Sequence, residues 1–371
     1  MAATQAAVLL LRPRSAPLRA VPVEARDYFS PAELSRARRF RRGQRALGLA
    51  SGALDAALLV ALVRRPPRGH PAVVAAGLTA GMTVAGLPLA AVSRVRGVRA
   101  GLVTQGWGGW FADLGKAQAI GVPLSAGSGW LLAAAMSRFG DRWWLPGAGG
   151  LLGAGVLSLV AGPTLIDPLF NRFEPAELEL RARVEALARA AGVPVDRVLV
   201  MDASKRTTAS NAYVTGLGPT KRVVFYDTLL KDFSASEVDF VVAHEFAHVR
   251  HRDVLRSLGL VAVAAPATVW SIAEGAAALG DTLPAVLLAG GLVAPAVGAV
   301  ANGLSRAVER RADRFAMDIV GDPRAQIAFQ RGICLRNLAE PAPPRWVQVL
   351  YGTHPTTLER IAMAEAAISA S

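Results

Sequence analysis

Leu283-Pro-Ala-Val-Leu-Leu-Ala-Gly-Gly-Leu-Val-Ala-Pro-Ala-Val-Gly-Ala-Val-Ala301 holds no charged residue, and Asn302-Gly-Leu-Ser-Arg-Ala-Val-Glu-Arg-Arg-Ala-Asp313 follows it directly. The first stretch has the length that crosses a bilayer, about 20 apolar residues. The second turns polar and places Glu309 and Asp313 four apart, on one helix face. Working outward, five more runs have spanning length: Ala46–Val63, Pro71–Val92, Ala117–Met136, Trp143–Gly162 and Ser257–Ala273. Asp55 is the only formal charge inside the six. Several are rich in Ala and Gly, which lets membrane helices approach closely. One such run alone would also fit a buried core helix; six in one chain predict a polytopic membrane protein.

Composition agrees. The 371 residues are 52% hydrophobic and 19% charged, with a mean hydropathy of +0.34. That excludes a disordered chain, which needs low hydrophobicity. A single cysteine, Cys334, excludes a disulfide framework and a Cys-only zinc module. The net charge of +13 fits either a nucleic acid or a membrane surface as partner. With this hydropathy the partner is the bilayer, and no nucleic acid is expected. Residues 1–45 hold ten Arg, which keeps this arm cytoplasmic by the positive-inside rule. The apolar run Ala6–Leu11 is too short for a cleavable signal peptide and is followed by Arg12, Arg14 and Arg19. Alternation then puts 93–116, 163–254 and 302–371 inside as well. The outside loop 274–282 has no Lys or Arg, although 64–70, also outside, holds Arg64, Arg65 and Arg68.

Residues 163–254 read as a small α/β unit. A helix is expected from Pro175 to Ala191, with Leu178, Val184, Leu187 and Ala191 on its apolar face and Gly192 past its end. Three strands follow, Arg197–Met201, Asn211–Thr215 and Arg222–Tyr226, broken by Gly216 and Gly218. Ser234-Ala-Ser-Glu237 is a capping box that starts the next helix. That helix carries His244-Glu245-Phe-Ala-His248. His-Glu-x-x-His sets two imidazoles one turn apart, able to reach one Zn²⁺, with the intervening Glu245 as general base for water. A hydrolytic zinc takes a third protein ligand and leaves one position open. Glu309 is the best candidate, Cys334 the alternative, and Asp313 is placed to orient a ligand His. Paired solvated acids, neutralised by Arg306, Arg310 or Arg311, are the plainer reading of Glu309 and Asp313. His251 fits no ligand role and is expected at the helix end, where a cation is favourable.

Further blocks extend the pattern: Gly162-Pro-Thr-Leu-Ile-Asp-Pro-Leu-Phe-Asn-Arg-Phe173, Ser210-Asn-Ala-Tyr213 with Gly216-Leu217, Lys221 to Leu230, Ser305-Arg-x-x-Glu309-x-x-x-Asp313, and His354-Pro355 with Arg360. Together with the zinc motif they make the chain resemble the type I CAAX prenyl proteases, membrane zinc endopeptidases, from about Tyr28 onward. The Arg- and Ala-rich composition points to a bacterial member. The resemblance implies that His244, His248 and Glu309 bind one zinc per chain, with Glu245 as base. It also implies that Asn211, His354 and Arg360 contact the peptide or its developing oxyanion. The family has one more span before the region of Tyr28; residues 1–27 contain none.

The expected fold is therefore mainly α: six membrane helices with a small α/β zincin-like catalytic domain. Its divisions are a basic arm (1–45), a four-span region (46–162), the catalytic domain (163–254), a helical hairpin (255–301) and a C-terminal catalytic segment (302–371). The expected function is hydrolysis of peptide or protein substrates at a multi-pass cell-membrane enzyme whose catalytic domain faces the cytoplasm. A quality-control protease of the heat-shock type is the competing enzyme reading; such proteins have two spans before the zinc motif, and this chain has four. A transporter or scaffold with a structural zinc is the non-enzymatic one; a closed structural site needs a fourth ligand, and none is evident.

Overall fold

The computed structural model describes residues 2–14, 21–216 and 221–370. Arg19, Leu217 and Gly218, used above, lie outside the described residues. In chain order the helices before the sheet are α1 (Ala2–Leu11), α2 (Ala25–Tyr28), α3 (Pro31–Arg64), α4 (Pro71–Arg99), α5 (Trp107–Phe139), α6 (Trp144–Ala161) and α7 (Asp167–Phe170). A π-helical turn, Gly162–Ile166, joins the last two. Then come β1 (Phe173–Pro175), α8 (Leu178–Ala191), β2 (Arg197–Met201), β3 (Ala212–Thr215), β4 (Arg222–Tyr226), α9 (Asp227–Asp232) and α10 (Ala235–Arg250). The chain closes with α11 (Asp253–Ala277), α12 (Leu283–Val320), α13 (Pro323–Arg336), α14 (Arg345–Tyr351) and α15 (Thr357–Ala370).

Among the described residues, six helical segments are long and apolar enough to span a membrane: α3, α4, α5, α6 with its continuation through α7, α11 and α12. All six expected spans are present, and the helices outrun them into polar sequence. α3 starts at Pro31, where the Ser30 hydroxyl and Glu33 form a reciprocal cap. α12 is 38 residues, about 57 Å of continuous helix. A hydrocarbon core of about 30 Å uses the first twenty residues. Glu309 therefore emerges roughly two turns beyond it. Side chains such as Leu292, 71% exposed, are left uncovered by protein, as expected of a surface turned to lipid. Where spans do touch, they touch closely. A Cβ added at Gly129 of α5 would sit 2.3 Å from Ala75 Cβ of α4, so only glycine fits. Nearby, the Thr79 hydroxyl donates to Ser125 Oγ (2.6 Å). The short α1 packs Val8 against Leu304 and Val308 of α12.

The sheet order is β1-β2-β4-β3, with β2 and β4 parallel and the outer pairs antiparallel. β3 is thus an edge. Two sequence expectations are corrected. Pro175 does not open a helix: Phe173–Pro175 pairs with Leu199–Met201 as an edge strand. A proline is tolerated there because an edge strand leaves one side of its backbone unpaired. α8 consequently begins at Leu178, which is 84% exposed in the first turn, and Val184, Ala188 and Ala191 form the buried face. The core beneath the sheet joins these to Val223, Phe225, Phe240, Phe246, Met317 and Phe329.

The loop between α4 and α5 ties the membrane region to this domain. Val103 and Thr207 form an antiparallel bridge, Thr104 N–H donates to Arg206 O (3.1 Å), and Thr208 N–H donates to Leu102 O (3.1 Å). Arg206 holds Asp113 at the start of α5 through Nε (2.8 Å) and Nη2 (3.1 Å), and reaches Asn171 Oδ1 with Nη1 (3.1 Å). Removing this fork leaves the Asp113 carboxylate with Gln105 Nε2 (2.6 Å) but without its guanidinium. Arg206→Ala should cost about 2 kcal/mol, read as a lowered Tm in detergent. Adding Asp113→Ala should cost little more; full additivity would dissolve the pair as a tether.

Candidate metal centre and peptide cleft

α10 starts at the expected capping box: the Ser234 side chain and Glu237 close it reciprocally. Val238, Phe240, Val241, Val242, Phe246 and Ala247 bury most of its surface, which fixes the face bearing the histidines. His244 and His248 bring their Nε2 atoms to 3.3 Å from each other. From α12, Glu309 Oε2 lies 3.1 Å from His244 Nε2, and Oε1 lies 3.5 Å from His248 Nε2. The spacing-based pairing of Glu309 and Asp313 with the nearby arginines is not what the fold does. Arg311 joins Asp253, Arg310 approaches Glu359, and Asp313 takes Arg360.

Each imidazole is oriented from behind. His244 Nδ1 is 2.9 Å from Asp313 Oδ1, and His248 Nδ1 is 3.1 Å from Asp253 Oδ2. With each Nδ1–H donated to a carboxylate, both Nε2 atoms carry lone pairs. They meet the carboxylate of Glu309, whose buried Oε2 has no hydrogen-bond donor. Three acceptors turned on one another call for a cation between them. Against the opposing burial, Asp313 and Glu309 make this spot favour positive charge: they raise the His244 pKa to about 10, and a metal would supply the charge that a proton on Nε2 otherwise brings. Two imidazoles and one carboxylate, with carboxylates behind the imidazoles, are a donor set suited to zinc.

Glu245 is half-buried beside the histidines, with donor atoms of His244, Glu245 and His248 all within 4.8 Å. Burial raises its pKa above the ordinary carboxylate value, against the pull of the two histidines, and it accepts the Val214 main-chain N–H of edge strand β3. Two clefts meet at this residue. One, of about 340 Å³, is bordered by Ser210, Asn211, His244, Asn337, His354 and Arg360. The other, of about 360 Å³, is bordered by Val214, Lys221, His248, Arg252 and Leu255. Asn211 is exposed just before β3 and accepts Tyr226 N–H at its carbonyl (3.0 Å). Strand β3 therefore begins one residue later than the sequence suggested.

His354 stands over the centre, its Nε2 3.4 Å from Glu309 Oε2 and its side chain 56% exposed to the cleft. Partial enclosure shifts its pKa below the ordinary imidazole value, against the pull of Glu309, which favours the neutral ring. Arg360 is placed differently from a simple substrate contact. Its Nε donates to Asp313 Oδ2 (2.8 Å) and its Nη2 to Oδ1 (2.5 Å), so the guanidinium steadies the carboxylate behind His244. Cys334 is buried with Phe29 and Ile361, its thiol donates to Ala339 O (3.2 Å), and burial lifts its pKa to about 11. It takes no part in the cluster. His251 stands at the helix end, as expected, and joins no ligand set: burial lowers its pKa, its Nδ1 lies 2.8 Å from Ala247 O, and its ring packs edge-on with Phe315.

Asp253 was not foreseen from sequence. Five residues past His248, it would face away on a continuous helix. The helix instead stops at His251, and Arg252 adopts a left-handed conformation (φ 55°) that turns Asp253 back onto the imidazole. Arg256 and Arg311 hold its other oxygen. The readable trace was the Arg-His-Arg-Asp cluster closing a helix, which by itself suggests a solvated end.

With this geometry the chain was compared with known proteins. It matches the family model described as peptidase family M48 over residues 175–368, and the one described as CAAX prenyl protease N-terminal, five membrane helices, over 70–172. An uncharacterized metalloprotease of Bacillus subtilis, YhfN, is 30% identical over 252 residues, covering 64% of this chain and 58% of that protein. CAAX prenyl protease 1 of Saccharomyces cerevisiae is 45% identical over 95 residues, 25% of this chain and 21% of that one. A protease HtpX homolog of Burkholderia thailandensis is 33% identical over 206 residues, 48% and 70% of the two. The crystal structure of S. mikatae Ste24p superposes with a TM-score of 0.76, covering 98% of this chain and 95% of that one at 23% identity; the fold is shared. The first of these relatives is matched over just over half its length and the yeast enzyme over about a fifth. The chain belongs to peptidase family M48. The resemblance drawn from its motifs is the one these matches return, and its six helices make it a multi-pass membrane protein.

Proposed function

We propose that this protein is an integral-membrane zinc metalloendopeptidase that cleaves extended peptide segments at the cytoplasmic face. The observation that carries the reading is the meeting of His244, His248 and Glu309, from two separate helices, beside Glu245 at the open edge of β3. The two Nε2 atoms and the Glu309 carboxylate would hold the metal, and zinc bound there would acidify water and polarise the scissile carbonyl. Glu245 Oε takes the proton from the attacking water and returns it to the leaving amine. The peptide adds as a strand to β3, which aligns its backbone largely regardless of sequence. Asn211 contributes a side-chain bond to it. His354 donates Nε2–H to the carbonyl oxygen as charge develops there. Arg360 acts by fixing Asp313, at one remove from the peptide. The four spans before the zinc motif, and the match to the CAAX-type N-terminal model, favour this over the heat-shock type.

The purified protein should contain one zinc per chain and cleave casein or an unfolded peptide. Chelation should abolish both and zinc should restore both; a metal-free protein with undiminished cleavage would sink the reading. Facing is tested separately. Reporter fusions after residues 110 and 371 should report cytoplasm, and one near Gly280 the opposite side. A cytoplasmic Gly280 would overturn the orientation.

A further inference from the structure

Arg306 lies one turn before Glu309 on the same helix, and the reaction described above gives it no role. Its guanidinium serves main-chain carbonyls. Nη1 donates to Gln348 O (3.0 Å) and to Gly352 O (2.6 Å). A turn earlier, Asn302 Nδ2 donates to Leu350 O (3.0 Å). Leu350 O and Gly352 O lie at the C-terminal end of α14, where helix carbonyls run out of donors and a cation is favourable, while Gln348 O also accepts the Gly352 N–H (3.1 Å). The next residues are Gly352-Thr353-His354. Gln348 Nε2 reaches across to His354 O (2.6 Å), and Thr353 Oγ1 lies 2.8 Å from His354 Nδ1. Gly352 passes so close to Gln348 that a Cβ there would stand 2.6 Å from the Gln348 carbonyl oxygen. The segment is thus held at both ends of a short arc, and α12 supplies the outer grip.

We infer that Arg306 is a positioning residue: it locks the 348–354 arc onto α12, so that His354 keeps a fixed offset from Glu309. The one helix then sets both a metal-holding carboxylate and the placement of the oxyanion donor. Thr353 completes the device. Its hydroxyl donates to Nδ1, which leaves the proton on Nε2, the nitrogen turned toward Glu309 and the cleft. The inference rests on the proposed peptidase reading and adds to it the origin of His354's placement.

The experiment uses full-length enzyme with an unfolded peptide substrate. Arg306→Ala should lower kcat by up to about 100-fold, as misplacement by an ångström does. KM should stay within about twofold, because the His354 bond strengthens only in the transition state. Zinc content should match wild type. Hydrogen exchange in 345–354 should speed up. Arg306→Lys, which keeps the charge and donors, should recover part of kcat. In a His354→Ala background, Arg306→Ala should have little further effect. Thr353→Val, which removes only the hydroxyl, should lower kcat by about tenfold with KM unchanged. Additive losses with His354→Ala, loss of zinc, or a change confined to KM would overturn the positioning role. Wild-type protein that neither holds zinc nor cleaves peptide would instead overturn the peptidase reading beneath it.

Discussion

Glu245→Gln is expected to hold zinc as wild type does and to turn over no peptide. The substitution keeps the shape and one acceptor oxygen, so the contact with Val214 N–H survives and the half-buried site is not reshaped. The residue is not assigned to the metal, so metal content should not fall. What is lost is the proton acceptor. General-base catalysis alone is worth about 10²–10⁴, and the same carboxylate is asked to protonate the leaving amine. A loss of kcat/KM of about 10⁴-fold or more, with zinc at one per chain, is the outcome to look for. Retained turnover in a zinc-loaded variant would remove Glu245 from this role.

The second large effect concerns the third donor. Glu309→Ala should strip zinc as severely as His248→Ala, measured by metal analysis after dialysis against a competing chelator. Both leave two donors where three converge. Asp313→Asn should weaken zinc affinity by about 10–100-fold, as losses behind a ligand do. It should also cost stability, because the Arg360 guanidinium, buried against Asp313, loses its counter-charge. Thermal unfolding should therefore separate the two variants: Glu309→Ala fails chiefly in metal, Asp313→Asn in metal and in Tm. Loss of zinc from Cys334→Ser with Glu309→Ala unaffected would replace the donor set.

How far this was readable from the chain depends on the range of the interactions. The spans were legible because lipid offers the backbone no hydrogen bonds, so each crossing must be a long uninterrupted apolar helix. His244 and His248 were legible because one turn of helix fixes their relation. Glu309 and Asp313 were legible as a pair for the same reason, but their partners were not. Asp313 meets Arg360 across 47 residues, and Arg206 meets Asp113 across 93. Asp253 depended on a single left-handed residue that no spacing rule places. β1 was missed because three residues ending in Pro carry little strand pattern, and only pairing with β2 makes them one. His251 was legible as a helix-end residue, but its packing against Phe315, which no spacing rule places, was not.

The unbroken run of α12 from Leu283 to Val320 couples two environments. Pro295, near the middle of its apolar half, removes a backbone hydrogen bond and makes a natural bending point, so the part beyond it swings as a lever whose fulcrum lies in the lipid. Glu309 stands about 24 Å from the middle of the hydrophobic stretch, at 1.5 Å per residue. A change of tilt by about 5° moves it by about 2 Å, comparable to a metal–ligand bond. Spans answer a thicker or thinner bilayer by tilting. The geometry at Glu309, and with it the arc that Arg306 grips, is therefore set partly by the thickness of the membrane around the protein.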